Sequence, residues 1–162
     1  MSDSNLKKLT LFRPVAKDFG ISSPFGLRVH PITGIEKNHN GIDFSTPVGT
    51  PITPVWPGRV VKAGWEKSLE DYPETYQKKG FGLRVWQEIT FESEQYFVWY
   101  GHLSEVFVKA GEWIPDKQIL GLTGNSGTSS GPHLHCGVRK KDTSDFYDMR
   151  FINMEPPNDR TV

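Results

Sequence analysis

A chain of 162 residues is long enough for one hydrophobic core and too short for two comfortable domains, so residues 1–162 are expected to form a single domain. A hydrophobic content of 36% with 12% aromatics suits a globular domain rather than a disordered chain. Lysine plus arginine and aspartate plus glutamate each total 19, and this neutral balance gives no electrostatic ground for a nucleic-acid partner.

The single cysteine, Cys136, excludes an internal disulfide and a cysteine-rich zinc site. No stretch is long and apolar enough to span a membrane. Residues 1–10 are polar and lack the apolar core of a signal peptide, so the expectation is either export by another route or a leader already removed.

With 16 glycines and 12 prolines, the chain is punctuated every few residues, and long helices are not expected. In chain order, residues 38–44 (NHNGIDF) hold the Asn40-Gly41 turn signal, and residues 58–64 (GRVVKAG) read as a strand. Residues 66–80 are charged, contain a proline and read as an exposed excursion between strands. Residues 83–91 and 95–100 read as strands rich in aromatic and β-branched side chains, followed by strands at 113–122 and 134–138. Residues 155–162 read as a frayed tail. Short strands at this spacing predict an all-β fold, an antiparallel sandwich or barrel-like sheet.

Four of the five histidines sit in short glycine-flanked segments. His39 and Asp43 are four apart, a spacing of about 13 Å on a straight strand, too far for one ion. The Asn40-Gly41 bend can fold His39 back toward Asp43, and a His/Asp pair with nitrogen and oxygen donors suits Zn²⁺. The bland alternative is a turn with a surface histidine and a capping aspartate. In residues 131–137 (GPHLHCG), alternation along a strand turns His133 and His135 to one side and Leu134 and Cys136 to the other. One of the two histidines can ligate while the other stands beside an open coordination position, and spacing does not say which is which. Cys136 reads as a small buried hydrophobe. His102 closes an aromatic strand in residues 99–103 (WYGHL), a place for a structural histidine or a catalytic one. His30 precedes a proline and reads as structural or exposed. Two His and one Asp for zinc leave two His for chemistry, either as base or as oxyanion donor.

Taken together, the segments resemble the lysostaphin-type (LytM-like) zinc metallopeptidases, the peptidoglycan endopeptidases. Four blocks carry the resemblance in the family's order: residues 23–34 (SPFGLRVHPITG), 39–52 (HNGIDFSTPVGTPI), 100–103 (YGHL) and 121–138 (GLTGNSGTSSGPHLHCGV). The family-like core spans about residues 20–140, with 66–80 as an insertion longer than the usual short Gly-rich link. The resemblance implies that His39, Asp43 and His135 hold one Zn²⁺, that His133 is the general base, and that His102 helps hold the oxyanion. It implies an antiparallel β fold with a groove floored by the sheet and walled by loops. It also implies hydrolysis of peptide bonds in the stems or cross-bridges of bacterial peptidoglycan, and the chain is expected to act as a monomer. Standalone catalytic domains of this kind occur in phage lysis and virion proteins. Two rival readings are a degenerate member that binds without hydrolysing, and a phosphocarrier domain of sugar transport. The first would lack some of the five residues, and the second would leave Asp43 in its bend unexplained.

Overall fold

The computed structural model describes residues 8–29, 33–65 and 80–152. His30, residues 66–79 of the excursion and the 155–162 tail lie outside the described residues. The described residues form strands and no helix. In chain order these are β1 (Lys8–Leu11), β2 (Ile21–Ser23), β3 (Gly26–Val29), β4 (Glu36–His39), β5 (Ile42–Ser45), β6 (Pro51–Ile52) and β7 (Gly58–Trp65). There follow β8 (Leu83–Phe91), β9 (Glu94–Val106), β10 (Trp113–Ile114), β11 (Gly121–Thr123), β12 (His133–Lys140) and β13 (Phe146–Phe151).

Eleven strands make one sheet whose spine runs β1-β13-β12-β9-β8-β7-β10, with β2, β5, β6 and β11 branching from it. It curls into an open half-barrel, and β3 and β4 form a separate hairpin beside it. The all-β expectation holds. Pairing is antiparallel except at one edge, where β1 lies parallel to β13. The expected strand at 113–122 divides in two. Pro115 removes a donor and Lys117 takes a left-handed φ of 72°, so the chain turns between β10 and β11.

Alternation in the central strands decides what faces inward. Val85, Gln87 and Ile89 of β8 lie opposite Tyr100, Val98 and Tyr96 of β9, and all are buried. Leu134, Cys136 and Val138 of β12 complete this layer. The other face carries Trp86, Trp99, Phe97 and the histidines of β12, and a one-residue slip would exchange the two sets. Two polar groups in the core are satisfied by each other. The Tyr100 hydroxyl donates to Gln87 Oε1 (2.8 Å) and accepts from the Val55 N–H (2.9 Å), while Gln87 Nε2 donates to the Trp56 carbonyl (2.7 Å). This ties the strand that leads to His102 to the loop between β6 and β7.

Candidate metal centre and active site

β4 ends at His39, the chain turns through Asn40-Gly41, and β5 carries Asp43 back beside it. β5 then pairs with β12 so that Asp43 stands directly opposite His135, and Ser45 opposite His133. Opposed residues share a face with their Cβ atoms about 5 Å apart, so the sheet register itself brings the aspartate to the histidine. The turn has no room for a side chain. A Cβ on Gly41 would lie 2.6 Å from the Cys136 carbonyl oxygen and 2.8 Å from His135 Cε1.

The three side chains converge. His39 Nε2 is 3.4 Å from Asp43 Oδ2, and His135 Nδ1 is 2.9 Å from Asp43 Oδ1. One donor atom from each of the three lies within 4.8 Å of the others. Donors about 2.0–2.2 Å from a tetrahedral zinc stand about 3.3 Å from one another, and this donor set fits that geometry and chemistry. His39 is oriented for it. Its Nδ1–H donates to the Pro24 carbonyl (2.9 Å), which leaves Nε2 bare toward Asp43. Burial pushes the Asp43 carboxyl up, but the two imidazoles beside it, His135 through its Nδ1–H and His39 when its Nε2 is protonated, outweigh that and hold the group well below the usual carboxylate range. Cys136 is fully buried and its thiol is pushed up by that burial, so it stays protonated behind the strand.

His133 and His102 stand beside this cluster with rings 4.7 Å apart. His133 Nε2 is 3.8 Å from Asp43 Oδ1, and its Nδ1–H donates to the Gly131 carbonyl (2.8 Å). His102 donates its Nδ1–H to the Ser126 carbonyl (2.7 Å). Both rings therefore present a bare Nε2, which accepts a proton. Burial pushes the His102 pKa down to about 4, a trend the Ser126 hydrogen bond only partly offsets. The ring is neutral at pH 7 without metal or substrate. His102 also holds a left-handed φ of 65° inside β9, where the register against β8 shifts. Non-glycine residues in that region cluster at functional sites.

Sequence reasoning missed the supports. Ser126 accepts from His102 through its carbonyl, donates its hydroxyl to Leu103 O (2.7 Å) and accepts from Leu83 N–H (3.1 Å), so it joins β8, β9 and the 124–131 loop. Phe81 packs its ring 5.5 Å from that of His135, and a Cβ on Gly101 would lie 2.6 Å from Phe81 Cδ1. Gly80, Phe81, Thr128, His102 and His135 line a cleft of about 260 Å³ at the candidate centre. The glycines flanking Phe81 and the Ser/Gly-rich 124–131 loop were the available signals.

Residues 37–146 match peptidase family M23. The chain belongs to that family. An uncharacterized metalloprotease of Haemophilus influenzae is 37% identical over 123 residues, covering 75% of this chain and 23% of that protein. The peptidoglycan DD-endopeptidase ShyA of Vibrio cholerae is 34% identical over 123 residues, covering 75% of this chain and 25% of that protein. The chain thus matches about a quarter of the length of these relatives. Among solved structures, the catalytic domain of the antimicrobial peptidase lysostaphin from Staphylococcus simulans superposes with a TM-score of 0.64 at 29% identity, covering 81% of this chain and 89% of that one. The lysostaphin-type resemblance read from the four sequence blocks is borne out.

Proposed function

We propose that this chain is a zinc metallopeptidase that hydrolyses peptide bonds in the stems or cross-bridges of bacterial peptidoglycan, acting at the cell wall. The observation that carries the reading is the cluster of His39, Asp43 and His135 with two bare imidazole nitrogens beside it, in a chain of family M23. Homologues named peptidoglycan DD-endopeptidases support the substrate class.

His39 Nε2, His135 Nδ1 and an Asp43 carboxylate oxygen would hold the Zn²⁺. When bound, the ion lowers the pKa of a water and polarises the scissile carbonyl. The chain supplies the rest. His133 Nε2 takes the proton of the attacking water and hands it to the leaving amine, with the Gly131 carbonyl keeping the ring in the tautomer that can accept. His102 can donate to the developing oxyanion only while its Nε2 carries a proton, which burial opposes in the resting site. Negative charge growing on the substrate oxygen favours that protonation, so the interaction strengthens toward the transition state. All five residues come from one chain, which is why a monomer is expected to suffice.

The test is release of new amines from purified cell walls, with fragments identified by mass spectrometry. The reading expects hydrolysis that stops with a chelator and returns with zinc. A folded, zinc-loaded chain that binds walls but releases no amine would favour the degenerate, non-hydrolytic reading.

A further inference from the structure

The open face of the sheet carries a second surface that the proposed mechanism leaves unused. Directly opposed residues share a face, so the register traces it outward from the metal centre. His135 and Gly101 are followed by Gly137 and Trp99, then by Arg139 and Phe97, with Trp86 beside Trp99 and Phe146 beside Arg139. Arg139 is four residues from His135, about 13 Å along β12.

The rings on this stretch form a continuous platform. Trp86 and Trp99 stack with centroids 5.3 Å apart, Phe97 meets Trp86 edge-on at 5.3 Å, and Phe146 lies 6.0 Å from Trp99. All four rings are only half-buried. Cations lie over them, with the Arg139 guanidinium 5.3 Å from the Trp99 centroid and the Lys62 ammonium 5.1 Å from that of Trp86. Arg139 also donates to the Thr143 carbonyl. Among the described residues, neither cation is paired with a carboxylate, whereas the nearby Lys141 is paired with Glu88. Phe146 continues the surface into a cleft of about 460 Å³ between the β3–β4 hairpin and β13. That cleft is lined also by Phe25, Asn38 and Asn40, the residue next to the ligand candidate His39, and by charges of both signs, Lys8 and Arg150 with Asp145 and Asp148.

Flat apolar rings, two unpaired cations and exposed amide side chains suit a ligand with apolar ring faces, hydroxyl and acetamido groups, and carboxylates. The two cations stand over the rings themselves, and the carboxylates Asp145 and Asp148 lie in the cleft beyond them. We propose that the platform and its adjoining cleft bind the saccharide strand of peptidoglycan. Sugar rings pack on the exposed parts of the Trp99, Trp86 and Phe97 rings, and carboxylates of the peptide stems borne by the strand meet Arg139 and Lys62. This inference rests on the peptidoglycan reading of the metal centre. It adds that the polymer is held along the floor of the sheet while its peptide reaches the metal. The continuity of the face, the charge complementarity and the shared lining residues Phe146 and Asn40 argue for this occupant.

The experiment measures co-sedimentation of the full chain with purified insoluble sacculi, in a His133→Ala background so that the walls are not digested. Trp86→Ala and the double variant Lys62→Glu/Arg139→Glu are compared with that background, each checked for folding by thermal melting. The proposal expects sacculus binding about tenfold weaker for each. In chains retaining His133, hydrolysis of a soluble cross-linked stem-peptide dimer without sugars should change less than about twofold, while wall hydrolysis falls. Folded variants that sediment like the background would overturn the proposal and reduce the platform to a ladder that staples strands. Equal loss on walls and on the sugar-free dimer would overturn it too. Variant-sensitive binding to a duplex oligonucleotide with none to sacculi would assign the face to nucleic acid instead, which also overturns it. If wild type fails to cut even the sugar-free dimer, the peptidase reading fails, while the binding comparison still decides the platform.

Discussion

The two halves of β9 are built differently. From Glu94 to Tyr100 the strand pairs with β8 in unbroken register, and every other side chain enters the core. After Tyr100 the order changes. The register against β8 shifts, the φ of His102 becomes positive, and the pairing with β11 shifts again between Leu122 and Thr123. The regular half is held by burial and by the Tyr100–Gln87 network, and the irregular half by pairing with β11, by the His102 N–H to the Phe81 carbonyl (2.7 Å) and by hydrogen bonds to the loop residue Ser126. A regular strand alternates its side chains and cannot aim one off its own face. The irregularity lets His102 reach the candidate metal centre from a strand whose neighbouring residues build the core.

The largest expected effect comes from breaking the irregular half at its side chain. His102→Ala should lose at least about a hundredfold in turnover with its metal retained, and His133→Ala should do the same. The double variant should lose less than the product of the two, because both groups act on one transition state. Steady-state wall hydrolysis with metal analysis on the same samples checks this.

A second effect is read in the metal-free chain as a function of pH. The folded-state pKa of His102, about 4, lies below its ordinary value of 6.5. Between those values the unfolded chain binds the extra proton, so stability falls as pH drops from 6.5 toward 4, by up to about 3 kcal/mol. Asp43, whose carboxyl is held low, adds its own loss only below its ordinary value of 3.8. Melting of the chelated protein across this window should show the decline, and His102→Gln should flatten its upper part.

The regular half responds differently. Tyr100→Phe strands the Val55 N–H and Gln87 Oε1 in the core at about 1–2 kcal/mol. Thermal melting should register that loss, while turnover per folded molecule stays within a few-fold. The smallest effect is conformational. At φ 65°, glycine is unstrained and alanine is not, so His102→Gly should be more stable than His102→Ala by about 1 kcal/mol in denaturant titrations.

Strands with strong local signals were legible. Residues 83–91 and 58–64 carry β-branched residues between glycine breaks, and they became β8 and β7. The Asn40-Gly41 bend was legible for the same reason, since an Asn-Gly step with a flanking His and Asp states its own geometry. What could not be read locally was anything made by distant pairing. β1 owes its place to β13 at the other end of the described chain. The hairpin between β8 and β9 turns through Glu92 and Ser93 at φ 49° and 69°, a two-residue turn without the usual glycine or asparagine. The anchoring of His102 by Ser126 depends on two loops meeting, and the approach of His135 to Asp43 depends on the register of β5 against β12. The aromatic content of 95–100 marked a strand but did not show that Trp99 and Phe97 share a face with the histidines. That followed only from the pairing with β12.

The central claim is that metal binding and proton chemistry are divided among neighbouring residues. Zinc content per folded chain tests it most directly, measured by elemental analysis on wild type, Asp43→Ala and His133→Ala purified alike. The account expects about one zinc in wild type and in His133→Ala and almost none in Asp43→Ala, because Asp43 is the donor that both His39 and His135 approach. Full zinc occupancy in folded Asp43→Ala would contradict it.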